Sequence, residues 1–359
     1  MTAWVEVRPA VLTANAAIVC ELLGPNCRLA AVVKGNGYGH GAVLAARALV
    51  AGGAALLAVS SVAEAVELRA AGLDGEILLL ASHAPDEAET IVEHNLIATV
   101  SNAEAGARLA AAARRQGVVA RAHLLIDCGM GRDGAPAAEA AEVHRRLLAT
   151  AGLSLEGVFT HFPTSIARDK EPTRRQLATF LAVVAQMSPR PALCHAANSG
   201  AAVDVPASRL DLARVGTLLY GQRPSRWVSP VAGLAEAFSL KARLVEVRRL
   251  PAGATIGYGS ECRLKSSRLV GTLAIGWQHG FTLAPASLGR GWRGLRALLK
   301  PAPATVTIGG VECPVLGRVA MQSCAVDVTA VPQVAVGEVA TVPARRVTTD
   351  RGLPRVAVD

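Results

Sequence analysis

Short apolar runs alternate with amphipathic segments over the first 215 residues of the chain. Eight such runs are present, at residues 29–33, 56–60, 76–80, 96–100, 122–127, 157–161, 191–195 and 210–215. The segments between them have helical patterns, and the one over 61–72 starts with Ser and ends with Gly, as helices commonly do. Strands that alternate with helices form parallel sheets, and eight units favour a closed (β/α)8 barrel of the TIM type. An open doubly wound sheet is the alternative from the pattern alone.

The composition suits strands that are buried on both faces. Hydrophobic residues make up 51% of the 359 residues but aromatic residues only 3%, so the core must consist mainly of Ala, Val and Leu. Such a core fits helices packed on buried parallel strands. The length of the chain predicts more than one domain.

The pattern changes after about residue 230. Short segments rich in β-branched residues and bounded by Gly or Pro follow at 239–250, 254–259, 268–276, 304–310, 311–320 and 323–331. These predict antiparallel strands, whereas residues 284–304 are predicted to form a loop. We therefore expect an α/β fold in which a barrel over residues 1–232 precedes a β-rich domain over 233–359.

Charge and cysteine content limit the classes of ligand. The formal net charge is +9, but the Arg residues are scattered and no basic, aromatic stripe is present, so anionic small ligands are favoured over nucleic acid. The seven cysteines form no C-x-x-C pair, which argues against a disulfide framework and a metal site. Neither a signal peptide nor an apolar run long enough for a membrane span is evident, so we expect a cytoplasmic protein.

Polar residues follow the predicted strands at the points where a barrel places its active site, the carboxyl ends of the strands. These residues are Lys34 after the first strand, Arg132 after the fifth, His161 at the end of the sixth, His195, Asn198 and Ser199 at the seventh, and Arg214 at the eighth. Each one alone is consistent with a solvated loop residue. Their convergence on one rim predicts a functional site.

Lys34 directly follows a buried apolar run, where an unpaired charge is costly. An imine with an aldehyde cofactor would remove the charge and create a reactive centre. A rim lysine whose stem is buried and whose amine reaches water is the other interpretation. The following segment, KGNGYGHG, matches neither a dinucleotide fingerprint nor a P-loop, but its glycines would let the backbone approach a ligand closely.

A set of motifs resembles those of the alanine racemase family, which uses pyridoxal 5′-phosphate (PLP). They are AVVKGNGYGHG (31–41), DCGMGRDG (127–134), GVFTHF (157–162), HAANSG (195–200), ARVGTLLYG (213–221), IGYGS (256–260), IGWQHGF (275–281) and GRVAMQSCAVDVT (317–329). The resemblance runs through both predicted domains. It implies an eight-stranded barrel followed by a β-rich domain, a small amino acid as substrate, and a head-to-tail homodimer with shared active sites.

The resemblance also implies roles for individual residues. Lys34 would bind PLP and act as one catalytic base, and Tyr258 of the second subunit would be the base on the opposite face. The other implied cofactor-binding residues are Tyr38, His195, Asn198, Ser199, Arg214, Gly216 and Thr217. His161 would lie between Arg214 and Tyr258. Arg132 and the backbone N–H of Met321 from the second subunit would hold the substrate carboxylate.

The implied chemistry explains this arrangement. Racemisation removes a proton from one face of Cα and returns one to the other, which two bases on opposite faces accomplish. PLP would stabilise the carbanion, while the protein positions and tunes the cofactor. An arginine opposite the ring nitrogen does not readily give up a proton, so the electron sink is weakened and side reactions such as transamination are limited.

Several positions depart from the family pattern. Leu125 stands where a lysine, often carbamylated, steadies the arginine; Met321-Gln322-Ser323 replaces Met-Asp-Gln; the entrance segment contains Trp277; and Ala357 replaces a tyrosine. An altered substrate preference and ordinary divergence with alanine as substrate both fit these changes. A PLP-dependent decarboxylase on the same fold and a non-catalytic PLP-binding protein are the alternative functions.

Overall fold

The computed structural model describes residues 1–282 and 304–359, and its contacts divide the chain into two compact units. One unit comprises Pro9–Ala237, and the other combines Met1–Arg8 with Phe238–Asp359. The first strand, β1 (Ala3–Val7), therefore belongs to the second unit, whereas the sequence placed residues 1–232 in the barrel. The predicted loop over 284–304 lies, except for its last residue, outside the described residues.

The unit over Pro9–Ala237 contains a closed ring of eight parallel strands. The ring strands are β2 (Arg28–Val32), β3 (Leu56–Val59), β4 (Ile77–Leu79), β5 (Ile97–Val100), β6 (Ala120–Asp127), β8 (Leu153–Phe159), β9 (Leu193–His195) and β10 (Leu212–Val215), and a short strand β7 (Ala135–Pro136) pairs with β6. The ring closes because β10 pairs with β2 and β5 pairs with β6. The predicted (β/α)8 barrel is confirmed, with one ring strand inside or overlapping each of the eight predicted runs.

Helices connect the strands of the barrel. They are α1 (Pro9–Leu23), the turn α2 (Lys34–Tyr38), α3 (Ala42–Ala51), α4 (Val62–Ala70), α5 (Ala88–Glu93), α6 (Ala103–Gln116), α7 (Ala140–Leu148), α8 (Glu171–Val184) and α9 (Ser199–Asp204). Side chains cap the starts of several helices: Ser61 accepts the N–H of Glu64, and Asn102 accepts the N–H of Ala105. Such caps satisfy backbone donors that the first helical turn leaves unpaired.

Small aliphatic residues fill the barrel interior. The buried cluster consists of Ala30, Val32, Leu56, Ala58, Leu78, Ile97 and Leu212. All residues of β3, β4, β5 and β10 are buried, as expected for parallel strands covered by helices on one face and filled by side chains on the other. This explains how the barrel forms with so few aromatic residues.

The second unit is built from strands. Besides β1 it contains β11 (Phe238–Leu250), β12 (Thr255–Ile256), β13 (Cys262–Arg263), β14 (Arg268–Leu273), β15 (Thr305–Ile308), β16 (Val311–Leu316), β17 (Cys324–Asp327), β18 (Val339–Val342) and β19 (Arg355–Ala357). Its main sheet has the order β14-β17-β16-β15-β18-β11-β1-β19. All of its pairings are antiparallel except that of β1 with β19. The predicted β-rich domain is thus confirmed.

The long strand β11 gives this unit its shape. Its residues 240–243 pair with β18, and its residues 244–250 pair with β14 across a bulge between Leu244 and Glu246. β14 is the first strand in this order. Its pairing with the second half of β11 therefore closes the six strands from β14 to β11 into a ring. Within residues 1–282 and 304–359, no helix is both long and apolar enough to cross a membrane.

Candidate active site

A cavity of about 230 Å³ opens at the carboxyl ends of the barrel strands. Nine residues predicted from the sequence line it: Lys34, Tyr38, Arg132, His161, Asn198, Ser199, Arg214, Gly216 and Thr217. The remaining wall is formed by Val32, Leu80, Leu125, Phe159, Ile166, Gly200 and Pro224. The cavity is therefore polar where the predicted residues converge and apolar on the side of Leu80 and Leu125.

Lys34 is held by an unusual backbone conformation. It begins the turn α2, in which Gly35, Asn36, Gly37 and Tyr38 have φ values of 63°, 56°, 59° and 51°. Successive left-handed residues are costly except at glycine, which explains the two glycines of the motif. A side chain at position 37 would also lie 2.9 Å from the Cβ of Ala45 on α3. The glycines are thus required by the turn itself.

Glu64 stabilises the turn that carries Lys34. Its carboxylate accepts the N–H of Gly35 at 2.6 Å and the N–H of Ser60 at 3.0 Å. Sequence reasoning missed Glu64 as part of the site. The available signal was its place three residues after Ser61, where a helix-capping glutamate is common.

The surroundings of Lys34 favour a neutral amine. Burial lowers the pKa of Lys34, and the positive charge of Arg132 lowers it further, whereas Glu64 opposes the shift. A lysine is nucleophilic only when it is unprotonated. The cavity therefore makes this lysine better suited to condense with a carbonyl compound than an exposed lysine at the same pH.

Arg214 is hydrogen-bonded to His195, which is in turn hydrogen-bonded to His123. Its Nη1 donates to Nδ1 of His195 at 2.7 Å, and its Nη2 donates to the carbonyl oxygens of Thr160 and Ala196 at 2.7 and 3.2 Å. Because arginine only donates, Nδ1 of His195 must be the acceptor and its proton must lie on Nε2. That proton is then donated to Nδ1 of His123 at 2.9 Å. Sequence reasoning missed His123, whose only signal is a polar residue within an apolar strand.

Burial keeps His123, His195 and Arg214 in defined protonation states. It lowers the pKa of His123 to about 3 and that of His195 well below its usual range, so both rings are neutral at neutral pH. Burial also lowers the pKa of Arg214 to about 9, which leaves the guanidinium charged. The guanidinium lies 4.9 Å from the ring centroid of Phe159, a cation–π contact. Arg214 is therefore a rigid cationic donor on the cavity wall.

His161 lies beside this cation. Its Nδ1 is 3.5 Å from Nη2 of Arg214, at the outer limit of a hydrogen bond. Burial, followed by the charges of Arg214, Arg132 and Lys34, lowers the pKa of His161 to about 3. The ring is neutral and can relay or orient a proton without adding charge to the cavity.

Tyr38, Ser199 and Gly216 form a second group of polar atoms. The N–H of Gly216 donates to Oγ of Ser199 at 3.1 Å, and a Cβ at position 216 would overlap the hydroxyl of Tyr38 and lie 2.8 Å from its Cζ. The Tyr38 ring stacks on Tyr220 with centroids 4.7 Å apart. Hydroxyl and backbone N–H groups that converge in this way suit an anion such as a phosphate.

Asn198 connects two loops at the floor of this group. Its Oδ1 accepts the N–H of Ala201 at 3.2 Å and the hydroxyl of Ser165 at 2.7 Å, and its Nδ2 donates to the carbonyl of Phe162 at 3.0 Å. The asparagine therefore caps α9 and fastens the loop after β8 to it. This supports the site by holding both loops in place.

Arg132 lies on the loop after β6 and contributes a cation to the cavity wall. Among the described residues, no acidic side chain forms an ion pair with its guanidinium. Leu125, on β6, lines the same cavity and supplies no polar atom. The arginine is thus available for an anionic ligand, such as a carboxylate.

Tyr258 and Met321 lie in the strand-rich unit. Tyr258 begins a short 3-10 turn, Tyr258–Ser260, and is 74% exposed, while Met321 is 53% and Trp277 45% exposed. The N–H of Gln278 donates to the carbonyl of Met321 at 3.1 Å, and Nε2 of Gln322 donates to Oε1 of Gln278 at 3.2 Å. Gln322, which departs from the family pattern, is therefore in contact with the entrance segment that contains Trp277.

Within residues 1–282 and 304–359, no group of three or more His, Cys, Asp or Glu side chains is arranged to hold a metal ion.

Comparison with known proteins gives concordant results over nearly the whole chain. Residues 7–224 match the model of the alanine racemase N-terminal domain, and residues 237–351 match that of the C-terminal domain. The alanine racemase of Desulforamulus reducens is 36% identical over 338 residues, covering 93% of this chain and 87% of the relative. The alanine racemase of Symbiobacterium thermophilum is 36% identical over 328 residues, covering 90% and 83%.

Solved structures agree with these relatives. The alanine racemase of Clostridium difficile 630 superposes with a TM-score of 0.91 at 26% identity, covering 100% of this chain and 96% of that one. The alanine racemase from E. faecalis superposes with a TM-score of 0.85 at 30% identity, covering 99% and 98%.

Proposed function

Because the chain belongs to the alanine racemase family, we propose that it is a PLP-dependent racemase that interconverts the L and D forms of a small amino acid. The observation that carries the proposal is the position of Lys34. Its amine, whose pKa is lowered, shares one cavity with the cation of Arg214 and the donors of Tyr38, Ser199 and Gly216.

The residues present fit PLP. An aldehyde condenses with an unprotonated amine, a form that the lowered pKa of Lys34 favours. A phosphate requires convergent polar groups, such as the hydroxyls of Tyr38 and Ser199 and the N–H of Gly216. The absence of a side chain at Gly216 leaves the room in which the Tyr38 hydroxyl lies. When bound, PLP withdraws electrons from Cα of the amino acid and so stabilises the loss of its proton.

The chain's own residues then divide the work of proton transfer. Lys34 moves a proton at one face of Cα, and Tyr258 contributed by a second copy of the chain serves the other face, so the substrate need not turn over. Arg132 holds the substrate carboxylate through paired N–H donors. Arg214, which stays charged at neutral pH, donates a hydrogen bond toward the cofactor ring without delivering a proton to it.

A head-to-tail homodimer follows from this division of roles. Tyr258, Trp277 and Met321 are large, largely apolar side chains that are exposed on the strand-rich unit, and such surfaces commonly serve as interfaces. A second copy that covers this surface would bring Tyr258 and the N–H of Met321 to the barrel cavity of its partner.

The cellular environment and the substrate of the protein can also be proposed. All seven cysteines are unpaired, which supports a reducing, cytoplasmic environment. The apolar wall of Leu80, Leu125 and Ile166 favours a small apolar side chain such as that of alanine. The departures at Leu125, Trp277, Gln322 and Ala357 leave the proposed proton-transfer residues, Lys34 and Tyr258, unchanged.

The test is incubation of the PLP-loaded protein with L- and D-amino acids, alanine among them, in deuterated water. We expect inversion accompanied by solvent deuterium at Cα, and loss of both in Lys34→Ala. Release of CO₂ in place of inversion would support the decarboxylase alternative. If neither occurs with any amino acid, the proposal fails and a non-catalytic PLP-binding role is favoured. The relative rates identify the preferred substrate.

A further inference from the structure

The loop that carries Arg132 is joined to a neighbouring rim loop by Ser82 and Asp133. We propose that this pair, here called the Ser82–Asp133 strap, positions Arg132 for the substrate carboxylate. The inference rests on the proposed function, because it concerns how the substrate is held.

Arg132 has little support from its surroundings. Its side chain is exposed, and no acidic side chain among residues 1–282 and 304–359 pairs with it. Beneath the loop lies Leu125, whose Cγ is near enough to Gly134 that a Cβ there would be 3.1 Å away. Leu125 supplies no polar atom to hold the guanidinium, which leaves the loop backbone to place Arg132.

The residues of the loop that precede Arg132 are fixed by Asp127. Its carboxylate accepts the N–H groups of Gly129 at 2.8 Å, Met130 at 2.7 Å and Gly131 at 3.1 Å. Burial opposes ionisation, but these three hydrogen bonds hold the pKa of Asp127 below its ordinary value. The bonds end at Gly131, so they leave the conformation of Arg132 itself undefined.

The part of the loop that follows Arg132 is fixed by the Ser82–Asp133 strap. Asp133 Oδ1 accepts the hydroxyl of Ser82 at 2.9 Å, and Oδ2 accepts the N–H of Ser82 at 3.1 Å. Oδ1 also accepts the N–H of Gly134 at 2.8 Å. Ser82 lies three residues beyond β4 (Ile77–Leu79), so the strap joins loops from two ring strands that are separated by β5.

The strap matters because Asp133 is the next residue after Arg132. With the Asp127 bonds on one side and the strap on the other, the backbone of Arg132 is held at both ends. A pre-positioned cation loses less conformational freedom when it binds a carboxylate, so substrate binding is tighter. Without the strap the same cation would be present but free to move.

The test compares Asp133→Ala and Asp133→Asn with the parent enzyme. We expect Asp133→Ala to raise KM by about five- to tenfold with kcat changed by less than about twofold, the pattern expected when substrate and transition state lose the same binding energy. Asp133→Asn keeps one acceptor oxygen and should recover part of the affinity. Glu142→Gln is the matched control: it removes an exposed carboxylate that pairs with Arg145 on α7, and KM should not change. Thermal unfolding confirms that each variant is folded.

A double-mutant cycle with Arg132→Lys separates a positioning role from a general one. If the strap acts through Arg132, Asp133→Ala should raise KM by less than about twofold in that background. An unchanged KM in Asp133→Ala, or a full effect in the Arg132→Lys background, would overturn the inference while the proposed function stands. A parent enzyme that racemises no amino acid would overturn both.

Discussion

Single atoms determine what the barrel cavity can bind. The Nη1–H of Arg214 requires an acceptor at Nδ1 of His195, and this fixes the tautomer of His195 and then that of His123. In the group formed by Tyr38, Ser199 and Gly216, the missing Cβ of Gly216 leaves space for the Tyr38 hydroxyl. The cation, and the donors that we propose bind a phosphate, are thus placed by contacts within the barrel.

The first prediction concerns Gly216. In Gly216→Ala the new methyl overlaps the end of the Tyr38 side chain, so the ring must shift from its stacked position on Tyr220. We expect PLP affinity to fall by about tenfold, the loss of one good hydrogen bond, as measured by equilibrium titration of the cofactor. Gly75→Ala is the control, since a side chain there meets nothing within 4 Å. Equal affinity in the two variants would contradict the assigned role of Tyr38.

Some site residues could be predicted from the sequence and others could not. Lys34 directly follows an apolar run, Arg132 lies in the segment after another, and His161 and Arg214 lie at the ends of two more. The barrel rule places such positions on one rim. Glu64 and His123 act through contacts with residues 29 and 72 positions away, and nothing local in the sequence specifies those contacts. Family resemblance was needed to single out Tyr258 and Met321, whose roles stay predictions.

Loops and short elements, rather than the strands alone, hold the site. Asn198 joins α9 to the loop after β8, and Lys170 fastens the same loop. The Lys170 amine donates to the carbonyls of Ser165 and Ala167 and pairs with Asp204 at 3.0 Å, where both side chains are about 90% buried, with 10% and 11% exposed. The loop that carries His161 and Ile166 is therefore a packed part of the barrel rim.

The second prediction compares two helix caps. Asn102→Ala removes the cap of α6, far from the cavity, and should cost about 1 kcal/mol of unfolding free energy with little effect on racemisation. Asn198→Ala removes a cap and two further hydrogen bonds, so about 2–3 kcal/mol is expected, together with weaker PLP binding. Urea unfolding and cofactor titration measure the two effects. Equal losses in both variants would mean that Asn198 is only a cap.

At this scale the strands were predictable and the turns were not. Each of the eight apolar runs matches a ring strand because burial on both faces leaves a continuous hydrophobic signal. The pairing of β1 with β11 was missed, since Ala3 lies opposite Ala242 and no local pattern records a partner so distant. The left-handed turn α2 was missed too: its glycines were interpreted as room for a ligand, whereas their φ values are what the turn requires.

Across the whole barrel, histidines whose pKa is lowered in the folded chain should make the protein sensitive to acid. The pKa values of His123 and His161 fall to about 3 in the folded chain, below the ordinary 6.5. Between these values the unfolded chain binds protons that the folded chain does not, so this stability is complete above pH 6.5 and is lost as the pH falls. Each histidine contributes a slope of at most about 1.4 kcal/mol per pH unit.

The third prediction follows from that slope. Urea unfolding of the parent protein at pH 7, 6 and 5 should show a free energy of unfolding that falls toward pH 5. His161→Gln should make this fall smaller by up to about 1.4 kcal/mol per pH unit, because one titrating group with a lowered pKa is removed. A pH dependence that is identical in the two proteins would show that His161 is protonated as readily in the folded chain as in the unfolded chain.

The central claim is that Lys34 carries the cofactor, and covalent trapping tests it most directly. The protein loaded with PLP should show a visible absorption band, and borohydride reduction followed by digestion and mass spectrometry should place the pyridoxyl label on the peptide that contains Lys34. Lys34→Ala should remain unlabelled. The chain has four other lysines, Lys170, Lys241, Lys265 and Lys300. A label on one of these, or a colourless and unlabelled protein in excess PLP, would contradict the account.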